Sequence, residues 1–135
     1  RFVEAHDRSY SRALEEIREG RKQSHWMWYI FPQIVGLGLS STSRFYAIAD
    51  LEEARAYMQH PMLGAHMIEI CGVLLGLSAN DAEDVMGYPD DLKLRSSMTL
   101  FSQAVPSVKI FQQVLDKYFD GKMDQKTLEI LGEHA

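Results

Sequence analysis

The chain has 135 residues and a mass of 15.4 kDa, which suits a single domain with its own hydrophobic core. Its 46% hydrophobic and 24% charged residues match ordinary globular usage and exclude a disordered or fibrous chain. Fourteen Lys and Arg residues against nineteen Asp and Glu residues give a net charge of −5, which opposes binding to a phosphate backbone or an anionic bilayer. We therefore expect no nucleic-acid partner.

The apolar runs of the sequence are short. WMWYIF and ICGVLLGL fall far below the roughly 20 residues that span a bilayer, and the first residues lack the pattern of a signal peptide. We therefore expect no membrane association and a cytoplasmic location. Cys71 is the one cysteine and lies within the apolar run MIEICGVLL, so we expect an inert, buried thiol.

The spacing of apolar residues predicts an all-α fold. They recur with a period near 3.6, and no stretch alternates with period 2 for long enough to form a strand, so we expect one compact domain of about six to eight helices. The first predicted helix covers residues 8–19, with Asp7 as its cap and Gly20 as its stop. The second begins at residue 24 and ends at residue 30 or 31, because Pro32 disfavours helical geometry in the preceding residue.

The middle of the chain predicts a loop followed by two helices. Glycine and hydroxyl residues at 36–43 indicate the loop. Asp50 is placed to cap a helix over residues 51–60. Pro61 suits the first position of the next helix, which extends to residue 77 and which we expect to be the central helix of the fold.

The last third of the chain predicts four further helical segments. Ser78 or Asn80 can cap a short helix before Gly87. An apolar stripe predicts a helix over residues 92–105, and Pro106 can start the next one. Asp124 can then cap a final helix.

The segment SHWMWYIF, residues 24–31, is apolar nearly all round and must be buried on most sides. Trp26 and Trp28 are therefore either core residues or the wall of a pocket. Arg21 and Lys22 precede the segment and either bind an anion or form a solvated loop. His25 is either a general acid or base, or a structural histidine.

The loop GLGLSSTS matches no strong phosphate-binding motif. It lacks the third glycine of a dinucleotide-binding loop and the Gly-Lys pair of a P-loop. Ser40 and Ser43 can cap the following turn or hold a polar ligand.

The predicted helix over 92–105 carries polar residues on or beside its apolar face. Ser97 falls within that face, where a buried serine either bonds to its own helix or serves a site. Lys93 and Ser96 lie on an adjoining face. Asp90 and Asp91 precede them, as helix caps or as part of a polar site.

Two further kinds of site find little support in the sequence. His66 and Glu69 share a helix face near His60, but no second pair of ligands completes a metal shell, so we expect no metal. Ser97, His25 and Asp90 could form a triad only on paper, because no Gly-x-Ser-x-Gly elbow is present. No cofactor is expected.

Four sequence blocks occur in a specific order, namely GRKQSHWMWYIFPQIVGLGLSSTSRFYAI, YMQHPMLGAHMIEI, DDLKLRSSMTLF and YFDGKMDQKTLEIL. Together they resemble a bacterial family catalogued as domain of unknown function 1810. The resemblance covers nearly the whole chain and implies a mainly helical single domain of unassigned activity. The residues that match its motifs are His25, Trp26, Trp28, Pro32, Gln33, Gly36, Gly38, Ser40, Ser43, Lys93, Ser96 and Ser97.

The chain departs from the family pattern at two positions. His6 stands where Gln is expected and His66 where Arg is expected, which puts any family role for these two residues in doubt. Some relatives carry the automatic label calpastatin. That inhibitor is disordered, whereas this chain has enough apolar residues to fold, so the label has no functional weight.

Our first hypothesis is that residues 21–43 and the start of the helix over 92–105 converge around a pocket for a small anionic, nucleotide-like metabolite. His25 would move a proton if the protein hydrolyses the metabolite or transfers a group from it. The predicted ligand-binding residues are Arg21, Lys22, Trp26, Trp28, Gln33, Ser40, Ser43, Lys93, Ser96 and Ser97.

The alternative hypothesis is a non-enzymatic interaction domain. The aromatic segment 24–38 would then form a surface groove for a peptide or a second copy of the chain. An enclosed site that holds both His25 and Lys93 would favour the ligand, whereas an open apolar patch would favour a protein partner. The sequence leaves the oligomeric state open.

Overall fold

The computed structural model describes residues 1–133, and this part of the chain contains nine helices joined by loops and turns. The helices are α1 (Phe2–Arg18), α2 (Met27–Ile30), α3 (Ser41–Phe45), α4 (Leu51–Gln59), α5 (Pro61–Gly76), α6 (Ala82–Met86), α7 (Asp90–Ala104), α8 (Ile110–Phe119) and α9 (Gln125–Glu133). The prediction of an all-α fold is confirmed. The helix count exceeds the predicted range by one because α3, which has only five residues and shows no period, lies partly in the segment predicted as a loop.

Helix α1 begins well before its predicted start. It includes Asp7, which is therefore not a cap, because Phe2, Ala5 and His6 in the first turns are buried and extend the helix. The guanidinium of Arg1 donates to the Glu53 carboxylate at 2.8 Å and anchors the start of the helix. The predicted stop is correct: Gly20 has a φ of 83°, which few other residues tolerate.

Helix α2 is shorter than predicted at its start. The backbone N–H groups of Gln23 and Ser24 donate to the Glu16 carboxylate at 2.7 and 2.9 Å, so these residues turn towards α1 before the helix begins. The helix ends at Ile30, in agreement with the effect of Pro32 on the preceding residue.

Among the predicted starts of α4, α5 and α6, the first two are correct and the third is wrong. Asp50 accepts a hydrogen bond from the Glu53 N–H at 2.9 Å, and Pro61 is the first residue of α5. The cap of α6 is Asp81 rather than Ser78 or Asn80. The segment between the end of α5 and the start of α6 is therefore longer and less helical than predicted.

The last two helices also differ in one boundary. Helix α8 begins at Ile110 instead of Pro106, because the intervening residues form a turn in which the Val108 N–H donates to the carbonyl of Val105 at 2.9 Å. Asp124 caps α9 as predicted and accepts from the Thr127 N–H at 3.2 Å.

Helix α7 has the central position that the sequence suggested for α5. It packs against α4, α6, α8 and α9, and every residue from 96 to 102 is buried. Hydroxyl groups in this stretch bond to their own helix: Thr99 donates to the carbonyl of Arg95, and Ser102 donates to the carbonyl of Thr99, both at 2.8 Å. Small, internally bonded side chains let several helices approach α7 closely.

The loop between α2 and α3 is held by an isolated parallel bridge between Ile34 and Ile48. The Ile48 N–H donates to the carbonyl of Gln33, and the Val35 N–H donates to the carbonyl of Ile48, both at 2.8 Å. These bonds fix the backbone at Gln33 beside the start of α7.

Candidate functional site

A buried carboxylate, Glu16, fixes the loop between α1 and α2. It accepts four hydrogen bonds, from the backbone N–H groups of Gln23 and Ser24, from the Ser24 hydroxyl and from the Trp26 indole. Burial alone would raise the pKa of Glu16, but the four hydrogen bonds outweigh it and lower the pKa to about 2. The loop is therefore held in one conformation by a charged group.

Lys22 ties the same loop to the start of α7. Its ammonium lies 2.8 Å from the Asp90 carboxylate and 2.6 Å from the carbonyl of Ser24, and its side chain is 7% exposed. Its backbone N–H donates to the carbonyl of Val85 at 2.7 Å. These contacts leave Lys22 little freedom to meet a ligand.

Asp90 also holds a second lysine, Lys93. The two side chains lie 3.1 Å apart, and the Lys93 ammonium lies 4.1 Å from the centre of the Trp28 ring. Burial raises the pKa of the Asp90 carboxyl, but hydrogen bonds from Lys22 and Lys93 lower it below its ordinary value overall. Asp90 therefore positions an ammonium group against an aromatic face.

An open cleft lies between the loop that follows α2 and the first turns of α7. Its volume is about 230 Å³. We call it the Trp28 cleft, and its lining residues are Trp28, Gln33, Leu37, Gly38, Pro89, Leu92, Lys93, Ser96, Asp124 and Lys126. Four residues named as candidates from the sequence share it: Trp28, Gln33, Lys93 and Ser96.

The polar groups of the Trp28 cleft differ in how well they are satisfied. The side-chain amide nitrogen of Gln33 is buried and has no hydrogen-bond partner within residues 1–133. The Ser96 hydroxyl lies 2.9 Å from the Asp124 carboxylate and 3.1 Å from the carbonyl of Leu92, so its proton is already used. The N–H donors of the cleft's lining side chains thus include an unpartnered amide at Gln33 and the ammonium groups of Lys93 and Lys126.

Ser40 and Ser43 have structural roles in the turn beside Trp28. The Ser40 hydroxyl caps α3 by accepting from the Ser43 N–H at 3.1 Å, and the buried Ser43 hydroxyl donates to the carbonyl of Ser40 at 2.8 Å. A Cβ at Gly38 would overlap the Ser43 side chain, so this approach needs glycine. The slot between the turn and Trp28 measures about 20 Å³, room for about one water molecule.

Arg21 and His25 lie outside the Trp28 cleft. The exposed His25 lines a groove with Arg8 and Arg12 on α1. Arg21 is exposed in another depression, whose lining includes acidic residues of α6. His25 and Lys93 therefore line different depressions.

Trp26 and Ser97 are core residues. Trp26 is 1% exposed, and its indole is bound to Glu16. Ser97 is fully buried in α7, and its hydroxyl oxygen has no partner within residues 1–133. Ser97 reaches no surface that a ligand could contact, and Trp26 offers only its 1% exposed fraction to the groove that holds His25.

Comparison with known proteins places the chain in a family. Residues 1–131 match the family described as protein of unknown function (DUF1810). The chain belongs to this family. It is similar to the conserved hypothetical protein Rv1873 from Mycobacterium tuberculosis, known from a crystal structure, with 45% identity over 98% of this chain and 94% of that chain and a TM-score of 0.95. No curated protein matches the chain.

The described part of this family member has neither a cluster of metal ligands nor a membrane-crossing helix. Within residues 1–133, no group of three or more His, Cys, Asp or Glu side chains is arranged to hold a metal ion. Over the same residues, no helix combines the length and the apolar character needed to cross a membrane.

Sequence reasoning missed Glu16, although a signal was present. Glu16 follows Ala13 by three residues, which places it on the buried side of α1. A carboxylate there requires donors, and the next loop supplies them. Asp124 and Lys126 gave no such signal, because only the packing of α9 on α7 brings them to the Trp28 cleft.

A second polar cluster joins α1 to α5 at the two positions where the chain departs from the family pattern. His6 Nε2 lies 2.9 Å from His66 Nδ1, and the Tyr10 ring stacks on the His66 ring with centres 3.7 Å apart. The Tyr10 hydroxyl donates to Glu69. Burial lowers the pKa of His6 to about 4. His6 and His66, the two residues that depart from the family pattern, are therefore in contact with each other.

Proposed function

We propose that the protein binds a small molecule in the Trp28 cleft and that an anionic oxygen of this molecule is held by Lys93 and Gln33. The observation that carries the proposal is the buried side-chain amide nitrogen of Gln33, which lacks a partner and belongs to a residue that lines the same cleft as Lys93. A buried donor without an acceptor costs free energy, which an acceptor from a ligand would recover.

The walls of the cleft limit the rest of the ligand. Trp28, Leu37 and Leu92 provide apolar surface, so a flat or apolar group suits the space beside the two donors. The cleft volume of about 230 Å³ is below the roughly 300–1,000 Å³ of drug-sized pockets. The ligand is therefore a sugar phosphate, a small carboxylate or one end of a nucleotide.

The proposal is for binding and includes no reaction. The residue expected from the sequence to move a proton, His25, lines a different groove. The acidic residue of the cleft, Asp124, is engaged by Ser96 and Thr127 as the cap of α9. The cleft thus offers groups that bind and orient a ligand.

The test is thermal unfolding against a panel of nucleotides, dinucleotides, ADP-ribose, sugar phosphates and small carboxylates. A ligand at about 100 times its dissociation constant should stabilise the protein by about 2.7 kcal/mol. The stabilisation should be lost in Lys93→Met and Gln33→Ala and kept in the control Lys109→Met, which removes an exposed lysine outside the cleft.

Tryptophan fluorescence gives a second measurement of the same event. Trp28 is half-buried in the cleft and Trp26 is in the core, so a bound ligand should change the emission of the wild type and leave that of Trp28→Phe unchanged. Absence of a midpoint shift with every compound, with all variants folded, would refute the proposal.

A second candidate function, binding of a protein partner, is favoured by apolar residues around α3. Leu39 is 83% exposed and Phe45 is 58% exposed, whereas Trp26, Ile30 and Phe31 of the aromatic segment 24–38 lie in the core. The surface proposed for a partner is therefore displaced from that segment to Leu39 and Phe45. Sedimentation velocity of the wild type and of a Leu39→Ser, Phe45→Ser double variant tests self-association, which only the wild type should show.

A further inference from the structure

A second groove beside the aromatic segment combines two arginines and a histidine. Its lining residues are Arg8, Ser9, Arg12, Gln23, Ser24, His25 and Trp26, and its volume is about 480 Å³. We call it the Arg8 groove. It shares no lining residue with the Trp28 cleft.

The charge of the Arg8 groove is unusual for this chain. The protein has a net charge of −5, yet no carboxylate lines the groove. Arg8 and Arg12 are exposed and one helical turn apart on α1, so their side chains project from the same face. The ion pairs present within residues 1–133 involve neither of them.

The acids within about one turn of the two arginines on α1 include Glu4 and Glu15, which are exposed and do not line the groove, and the buried Glu16. The oxygens of Glu16 already accept four hydrogen bonds from the loop that forms the other wall of the groove. None of these three carboxylates forms an ion pair with Arg12 within residues 1–133, so the Arg12 guanidinium is available to an external anion.

The wall opposite the arginines is held in place before any ligand binds. Glu16 fixes the backbone at Gln23 and Ser24, and the Tyr29 hydroxyl donates to the carbonyl of His25 at 3.0 Å. The Ser9 hydroxyl lies 3.4 Å from the Tyr29 hydroxyl and links this wall to α1. A preorganised wall reduces the conformational entropy lost on binding.

We propose that the Arg8 groove binds a phosphate monoester through Arg8 and Arg12, with His25 as a third donor. Two guanidinium forks match the oxygens of a phosphoryl dianion better than the single charge of a carboxylate. The open groove leaves room for the group that carries the phosphate. This site is independent of the ligand proposed for the Trp28 cleft.

The test is titration of the 15N-labelled protein with inorganic phosphate, pyrophosphate and phenyl phosphate at constant ionic strength. Saturable shifts are expected for the backbone amides of Gln23, Ser24 and His25 and for the Nε–H groups of Arg8 and Arg12. Arg8→Gln and Arg12→Gln should each weaken binding about tenfold or more, because each removes charge-assisted hydrogen bonds.

Two control variants separate binding in the Arg8 groove from nonspecific attraction to cations and from binding in the Trp28 cleft. Arg18→Gln removes an exposed arginine of α1 that does not line the groove, and it should bind phosphate like the wild type. Lys93→Met should also bind phosphate like the wild type, even though it abolishes binding in the Trp28 cleft. No saturable shift, an equal loss in Arg18→Gln, or a loss in Lys93→Met alone would overturn the proposal.

Discussion

The indole nitrogen of Trp26 lies 2.9 Å from a carboxylate oxygen of Glu16, although both side chains are buried. The same carboxylate binds the loop that leads to Trp26. One ionised group thus satisfies both an indole in the core and the backbone that brings the indole there. The loop between α1 and α2, which lies beside both proposed sites, therefore depends on the ionised Glu16 carboxylate for its conformation.

We expect Glu16→Gln to destabilise the protein by about 3 kcal/mol at pH 7, the free energy that corresponds to the lowered pKa. The folded-state pKa of about 2 lies below the ordinary value of 4.5, so the stabilisation is fully present above pH 4.5 and is lost as the pH falls through 2. Urea unfolding at pH 7 measures the effect. The control Glu15→Gln removes an exposed neighbour and should change stability by less than about 0.5 kcal/mol. Equal effects of the two substitutions would contradict the role of Glu16.

The sequence predicted the long helices well because their apolar stripes are local patterns. It failed at α2, since the contact that delays this helix is between Glu16 and residues of the next segment. It also placed the centre of the fold in α5, because four buried hydroxyl residues make α7 look less apolar than its surroundings are. A periodicity analysis counts a serine or threonine as polar, although its hydroxyl can bond to its own helix and be buried.

Two glycines of α5 should respond to alanine with opposite signs. A Cβ at the buried Gly64 would overlap the carbonyl oxygen of Met58, so Gly64→Ala must separate α4 from α5 at a cost of about 1–3 kcal/mol. A Cβ at the exposed Gly72 would meet nothing, so Gly72→Ala should stabilise the protein by about 0.5–1 kcal/mol through helix propensity. Thermal and urea unfolding of the pair measure both changes. A loss of stability in Gly72→Ala as large as that in Gly64→Ala would argue against the close contact.

The stability of the protein should depend on His6 below neutral pH. Burial holds the pKa of His6 at about 4, below its ordinary value of 6.5, so the unfolded chain takes up a proton before the folded chain does. Stability is therefore expected to fall by up to about 3 kcal/mol between pH 6.5 and 4 from this group. The charged or titratable groups that influence it are His66, Asp7 and His60.

The variant His6→Gln should flatten this part of the pH profile, because glutamine can still form a hydrogen bond with His66 and does not titrate. Unfolding midpoints at half-unit pH steps from 7 to 4 give the comparison. His25→Gln removes an exposed histidine and should keep the slope of the wild type. A slope in His6→Gln as steep as that of the wild type would show that other groups cause the pH dependence.

The candidate site was only partly predictable. Trp28, Gln33, Lys93 and Ser96 were named from the sequence, and they line one cleft. Lys22 and Asp90 were also named, but their sequence context did not show that they pair with each other and become part of the framework. Pairings between distant segments depend on helix packing, which local spacing does not encode.

Cys71 should be unreactive in the folded protein. Its thiol is fully buried in α5 between the sulfur atoms of Met67 and Met98, and burial raises its pKa, so little thiolate forms. At pH 8 we expect 5,5′-dithiobis(2-nitrobenzoate) to react with the native thiol at least about a thousandfold more slowly than with the unfolded chain in guanidinium, since reaction requires unfolding. Ser107→Cys adds a thiol at an exposed position and provides the control, in which one of the two thiols should react at once. A native wild-type rate equal to that of the added thiol would show that the core around α5 opens far more often than its packing implies.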